Sequence, residues 1–459
     1  MPVVRLTSVP SFRGRFLTIV VVFVALFVLR ALDAQEATPE SAAPEEAVAS
    51  VEPVAEEKPA LDTGDTAWML VSSALVMLMV PGLALFYGGM VRRKNVLSSM
   101  MHSFIALGII TLQWVVFGYS IAFGESVGGL FGNPLHKALL RGIAPDTPWG
   151  TVPEYVFAMF QGMFAIITPA LISGALAERV KFRAYVFFIL LWGTFVYDPI
   201  AHWVWNPNGW LFKRGALDFA GGTVVHLSSG SSALVVALLL GRRRNYPSAE
   251  MLPHNLTLTL LGAGLLWFGW FGFNAGSAVA SNATAGLAFA TTHIAAAMGA
   301  LGWLFVEKLH RRHPSALGAA SGLVAGLVGI TPAAGFVEPW AAILIGLTVG
   351  MICYGGVVMK GRFGYDDSLD AFGVHGVGGT WGALMTGVFA AVGANGLLYG
   401  NAGQFVTQGI GVVVAGAYAM VVTLILYKVT DAIFGFRVDP ESEQIGLDQE
   451  EHGEVGYNM

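Results

Sequence analysis

Residues Leu217 to Gly241 read LDFAGGTVVHLSSGSSALVVALLLG. The run is apolar and glycine-rich enough for a membrane helix, yet His226 stands in the middle of it. A titratable ring inside a membrane has two ordinary explanations. It is hydrogen-bonded to a carbonyl or serine of a neighbouring helix, or it lies on a route for ions or protons. Choosing between them requires the layout of the whole chain.

The 459 residues are 55% hydrophobic and only 12% charged, a balance that excludes an ordinary soluble domain and fits a polytopic membrane protein. The 58 glycines suit membrane helices, whose backbones pack closely where side chains are small. Cys353 is the one cysteine, so an intramolecular disulfide, a Cys-based metal site and an iron–sulfur cluster are excluded. The formal net charge of -5 says little, because most of the acid lies at the two ends. No nucleic-acid partner and no cofactor are expected.

Arg5, Arg13 and Arg15 precede an apolar run from Phe16 to Leu29. As a helix it would be about 21 Å long against a hydrocarbon core of roughly 30 Å. With the small residue Ala34 following, 1–34 reads as a secretory signal peptide, an uncleaved signal anchor being the alternative. Residues 35–64, rich in Ala, Pro and Glu and without an aromatic after the signal, read as a disordered extracytoplasmic leader.

From Thr66 onward, apolar runs cut by Gly, Pro and charge clusters predict eleven spans, forming a membrane domain over 65–436 and a polar tail over 437–459. Their approximate limits are 66 to 90, 97 to 123, 155 to 177, 183 to 205, 219 to 241, 254 to 274, 285 to 307, 315 to 333, 338 to 358, 371 to 391 and 405 to 434. Basic residues follow every odd-numbered span up to the ninth: Arg92–Lys94, Arg179–Arg183, Arg242–Arg244, Lys308–Arg312, and Lys360 with Arg362. Because such residues stay cytoplasmic in short loops, the N-terminus is expected outside and the C-terminus inside.

The fifth and tenth spans then run antiparallel. The tenth contains DAFGVHGVGGTWGAL, and superposing it on VVHLSSGSSAL aligns Val225 with Val374, His226 with His375 and Gly230 with Gly379. Two five-helix halves of opposite direction, each ending in a histidine-bearing helix and followed by one long last helix, predict an inverted repeat. Paired elements of such a repeat meet near the bilayer midplane. Two neutral imidazoles in contact would share one hydrogen bond and offer a donor and an acceptor to a small molecule. A zinc site is disfavoured, since no Cys, Asp or Glu completes a ligand set at suitable spacing.

A second constellation is aromatic. IAHWVWNPNGW closes the fourth span, MFQGMFAIITPALISGALAERVKF fills the third and LLWFGWFGFNAGSAVASN closes the sixth. Any one of these tryptophans could be an interfacial belt anchor. Together they bring Trp, Phe and Ser to one side, where a small cation could rest on ring faces and a hydroxyl. Asp218 and Asp370, at the starts of the fifth and tenth spans, read as helix caps as readily as supports of a site.

These residues resemble the ammonium transporter family, the Amt branch of the Amt/Mep/Rh superfamily. DFAGGTVVHLSSG, SGALAERVKF, WFGFNAGSA, DDSLDAFGVHGVGG and GLDQEEHGEVGY occur in the order the family has them, over Asp65 to Met459. The resemblance implies eleven helices around one pore per subunit, assembled as a homotrimer in the plasma (inner) membrane. It implies that His226 and His375 are the twin histidines of the pore, and that Trp205, Ser277 and Phe164 form an outer ammonium-recruitment site. Phe164 and Phe273 would be its stacked phenyl gate, with Trp270 and Gln161 as pore-lining neighbours and Asp218 behind the recruitment site. Asp370 is read as cap and packing.

The tail, on its own composition a disordered segment, resembles the family's ordered tail, part of the surface where a PII-type regulatory protein docks. Rival readings are an ammonium sensor with low flux, for which a fused cytoplasmic signalling domain would speak, and a Rhesus-type gas channel. A membrane enzyme would need a nucleophile, a carboxylate pair or a cofactor motif beside the histidines, and none accompanies them.

Overall fold

The computed structural model describes residues 60–247 and 251–458, and the expected signal segment and nearly all of the expected leader lie outside them. The helical domain begins slightly earlier than expected, at Thr63, because the Asp62 side chain caps that end by accepting from the Asp65 N–H at 2.8 Å.

Nine helices among the described residues are long and apolar enough to cross a bilayer: α1 (Thr63–Met90), α2 (Arg93–Phe123), α3 (Glu154–Leu176), α4 (Phe182–Lys213), α5 (Gly222–Leu240), α6 (Leu256–Ala278), α7 (Ala283–Arg311), then Pro339–Phe363 and Ala402–Phe434. Between α7 and Pro339 runs the shorter α8 (Ala316–Ile330), so Pro339–Phe363 is α9. α10 follows as two contiguous pieces, Phe372–Gly376 and Val377–Phe389, and Ala402–Phe434 is α11. The expected eighth and tenth spans also coincide with helices, but neither is among the nine long and apolar enough to cross a bilayer.

The brevity of α8 has a use. At 15 residues it is about 22 Å long, and it stops inside the protein at Thr331 and Pro332. Their carbonyls accept from the Ala220 N–H at 3.2 Å and the Phe219 N–H at 3.1 Å, just ahead of α5. Non-helical backbone at membrane depth is tolerated where protein surrounds it in this way.

α5 is the most enclosed of the nine, with 94% of its most apolar stretch buried, against 33% for α11. Its apolar residues therefore face neighbouring helices rather than lipid. α5 and α10 touch backbone to backbone at two reciprocal points. A Cβ on Gly230 would lie 2.1 Å from the Gly376 nitrogen, and one on Gly379 would lie 2.8 Å from the Leu227 nitrogen and 3.0 Å from the His226 Cβ. Each glycine stands four residues after its own helix's histidine and presses on the turn carrying the other's. That exchange of contacts is what a two-fold inverted repeat requires.

Four of the helices widen by one residue into π turns, at Trp114–Gly118, Gly193–Tyr197, Gly222–Leu227 and Phe372–Gly376. Two of them carry His226 and His375. Such turns interrupt the 3.6-residue register and push a side chain off the regular helix face.

The basic ends of the helices are clamped by an ionic cluster. Glu178, after α3, accepts from Arg92 Nε at 2.8 Å and Arg243 Nη1 at 3.1 Å. Arg243 also grips Asp366 through Nε and Nη2, each at 2.9 Å. Burial would raise both carboxyls, but Arg243 and its neighbours outweigh it and hold Glu178 and Asp366 below the usual carboxylate range. Arg92, Arg179 and Arg243, read from the sequence only as topology signals, are thus structural as well.

The tail docks on this end rather than leaving the bundle. Two short helices, α12 (Pro440–Ile445) and α13 (Leu447–His452), lie across it. Asp448 accepts from the Ser98 N–H at 2.8 Å and Glu451 from the Phe182 N–H at 2.9 Å, so two tail carboxylates cap the starts of α2 and α4. Arg437 pairs with Glu443 at 2.8 Å.

Candidate functional site

The start of α5 is built around Asp218. One carboxylate oxygen accepts from the Gly221 and Gly222 N–H groups at 2.9 and 2.6 Å, the other from Thr223 and Val224 at 2.8 and 3.0 Å. The orphan donors of the first turn are all satisfied by one side chain. Burial pushes the Asp218 carboxyl up to about 6, against the pull of these four amides. Its backbone carbonyl accepts from Trp205 Nε1 at 2.8 Å. Asp218 therefore holds Trp205 with one group and the turn bearing His226 with another.

At the start of α10 the equivalent acid is Asp367, not the expected Asp370. Asp367 accepts from the Ala371 N–H at 3.0 Å and the Phe372 N–H at 2.8 Å. Like Asp218, it stands eight residues before its histidine. Burial raises its carboxyl to about 6, with Lys360 pulling down and Asp370 pushing up. Asp370 instead takes a left-handed conformation, φ 62°, and pairs with Lys360 on α9.

The two π turns bring His226 and His375 together with Nδ1 atoms 3.3 Å apart and ring centroids 5.3 Å apart. One Nδ1 donates and the other accepts, so the pair shares a single hydrogen bond. His226 Nε2 is buried without a partner. Both rings face a cavity otherwise lined by apolar groups, among them Leu83, Ile167, Leu171, Leu266 and Val324, with about 10 Å³ of free space. That is room for roughly one water-sized molecule.

An aromatic column leads to this cavity. The Trp205 ring meets Phe164 edge-on at 5.8 Å and 89°. Phe164 lies on Phe273 at 4.1 Å, and Phe273 lies 6.1 Å from the His226 ring at 24°. Trp270 flanks the histidine at 5.4 Å and 25°, anchored by its Nε1–H donating to Thr331 Oγ1 at 3.0 Å. This is the second role of the short α8. Ser277 is half-buried in the turn Gly276–Ala278 that ends α6, and its hydroxyl donates to the Phe273 carbonyl at 2.8 Å. Gln161 precedes Phe164 by about one turn of α3, with its Oε1 buried and unpartnered.

Of the expected residues, Trp205, Phe164, Phe273, Trp270, His226 and His375 form one run of neighbouring rings, Ser277 bonds to the backbone of Phe273, and Gln161 and Asp370 stand outside the run. Asp367, Thr331 and the π turns were missed. The spacing of Asp367 to His375 was the available signal for the first; the other two leave none, because Thr331 and the widened turns lie in apolar runs like any other.

Such a site can select. An apolar cavity with one donor–acceptor pair admits a small neutral hydrogen-bonding molecule, whereas a bare ion would lose its hydration without replacement. Among the described residues, no cluster of three or more His, Cys, Asp or Glu could hold a metal ion.

The chain is similar to known proteins over most of its length. Residues 67–457 match the Ammonium Transporter Family. An ammonium transporter of Bacillus subtilis (strain 168) is 48% identical over 407 residues, covering 86% of this chain and 99% of the relative. The crystal structure of Saccharomyces cerevisiae Mep2 superposes with a TM-score of 0.78 at 38% identity, over 83% of this chain and 88% of that one. A structure described as a sensor Amt protein gives 0.80 at 30% identity, over 85% and 98%. With an apolar, histidine-bearing cavity between the helices of a multi-pass bundle and matches of this extent, the chain belongs to the ammonium transporter family.

Proposed function

We propose that the chain moves ammonium across the plasma (inner) membrane by recruiting the cation outside and conducting ammonia past the histidine pair. Ammonium rests on the faces of Trp205 and Phe164 and donates to Ser277. It loses its proton at the Phe164–Phe273 gate, and ammonia enters the apolar cavity, where His226 and His375 give and accept hydrogen bonds. The observation that carries this reading is the unpartnered Nε2 of His226, aimed into a small cavity that offers no countercharge. Potassium cannot shed a proton, and so would meet the full cost of dehydration.

In this reading the basic ends of the helices and the docked tail are cytoplasmic, and the first helix starts outside. The working unit is a homotrimer with one pore per subunit, no reaction is catalysed, and a cytoplasmic PII-type protein docks near α12 and α13. The histidines leave two proton routes: return to the outside, or passage through the pair.

Currents from proteoliposomes challenged with ammonium and with potassium test the proposal. Ammonium should evoke a current or an internal alkalinisation, potassium neither, and His226→Ala should abolish selectivity or flux. Ammonium binding without any current or alkalinisation in the intact protein would favour the sensor reading.

A further inference from the structure

Outside the pore lies a buried acid that the route does not use. Asp198 lies in α4, directly after the π turn Gly193–Tyr197, and its residue is 0% exposed. Gln113 lies in α2, directly before the π turn Trp114–Gly118, and is 1% exposed. Gln113 Nε2 donates to Asp198 Oδ2 at 2.5 Å and to Thr194 Oγ1 at 3.3 Å, which occupies both of its protons. Asp198 Oδ1 and Gln113 Oε1 are both buried and unpartnered. Among the described residues, no Lys, Arg or His forms an ion pair with Asp198.

An ionised Asp198 would leave two acceptor oxygens without a protein partner on bonded residues, one carrying charge, at a buried position with no paired cation. Each uncompensated buried acceptor is costly, and a buried charge more so. One proton removes all three problems. An O–H on Oδ1 donates to Gln113 Oε1 while Gln113 Nε2 donates to Oδ2, the closed two-bond pairing of a carboxylic acid with a primary amide.

We propose that Asp198 is a proton-binding site within the membrane, holding one proton on Oδ1 in a neutral acid–amide pair with Gln113. The proton is taken from water, and no other bond is made or broken. The pair ties the widened turns of α2 and α4 together without placing a charge in the bilayer. Since Asp198 opens the helical stretch Asp198–Trp205 of α4, it also fixes the base of the segment that carries Trp205.

Infrared difference spectra of the reconstituted full-length protein, in H₂O and in D₂O, test this against Asp198→Asn. The intact protein should show the carbonyl stretch of a protonated carboxyl, shifted in D₂O, and Asp198→Asn should lose it while keeping the amide pairing and the melting behaviour. The double exchange Gln113→Glu with Asp198→Asn keeps one acid and one amide, so the band should return. Loss of an ionised carboxylate stretch in Asp198→Asn would overturn the proposal, as would an unchanged spectrum. A double exchange that folds but shows only carboxylate signals would also overturn it.

Discussion

Replacing Asp218 with Asn should impair both ends of the proposed route at once. The carboxylate accepts four backbone N–H bonds of 2.6 to 3.0 Å, two on each oxygen, at a residue only 7% exposed. Asparagine keeps one oxygen and turns the other into an NH₂ donor, so two backbone donors face a third donor. At about 1–3 kcal/mol for each buried donor left unsatisfied, the ordered turn loses about 2–6 kcal/mol. Even the lower figure changes the ratio of ordered to disordered turn by roughly 30-fold. His226 stands on that turn, and Trp205 hangs from the carbonyl of the same residue. The assay is ammonium-jump current from proteoliposomes on a solid support, normalised to reconstituted protein. Current should fall at least about tenfold and half-saturation should rise together. A folded Asp218→Asn protein with parental current and half-saturation would refute the reasoning, because the four bonds would then contribute nothing to the route.

Trp205→Leu should raise the half-saturating ammonium concentration while leaving ammonia flux, read by internal alkalinisation, largely intact; unchanged half-saturation would remove Trp205 from the site. Gly230→Ala places a Cβ 2.1 Å from the Gly376 nitrogen, where no flexible side chain can yield; a cost of about 1–3 kcal/mol or more and displacement of His375 should appear as a lower melting temperature and lost current. Glu178→Gln leaves Arg92 without its carboxylate and Arg243 with Asp366 alone, and since breaking a fully buried pair costs about 3–5 kcal/mol, a loss at or below the lower end of that range should be measurable by thermal unfolding in detergent. The same cluster sets an acid limit. Glu178 and Asp366 lie below their ordinary values of 4.5 and 3.8 when folded, so their stabilisation is complete above that range and is lost as pH falls through the lower folded values. Unfolding of Glu178→Gln should accordingly depend less on pH below about 4.5 than that of the parent protein.

The spans were legible because composition changes abruptly at their ends: Arg92 to Lys94, Arg242 to Arg244 and the Gly-rich turns punctuate runs that are otherwise apolar. The pairing of α5 with α10 was legible because a histidine is rare in such a run, and two at matching positions define a register. Other features had no comparable signal. A π turn changes the period over a single turn, and where every neighbour is apolar that change has no contrast. Asp366, Asp367 and Asp370 stand close together, and choosing the cap among them needed the observation that Asp218 precedes His226 by the distance at which Asp367 precedes His375. The Gln113–Asp198 pair joins residues distant in sequence, each of which alone looks like an isolated polar residue within an apolar span.

The symmetric capping also explains how a pair of imidazoles can be held in an apolar cavity without a charged partner. A carboxylate in direct contact with either ring would favour the imidazolium and bring a countercharge into the cavity. Here both acids direct their oxygens at backbone amides: Asp218 at the four that open α5, Asp367 at two that open α10. Each ring is then oriented by its turn and by the other imidazole rather than by a charged side chain, and the glycine contacts lock each turn against the other helix. His226 Nε2 is left unpartnered as a consequence of this arrangement, because the turn and the single Nδ1 bond to His375 fix the ring's position. The two halves of the repeat therefore do more than duplicate a helix. Each supplies the backbone surface that keeps the other's histidine in place, so a disturbance at either carboxylate should reach both rings.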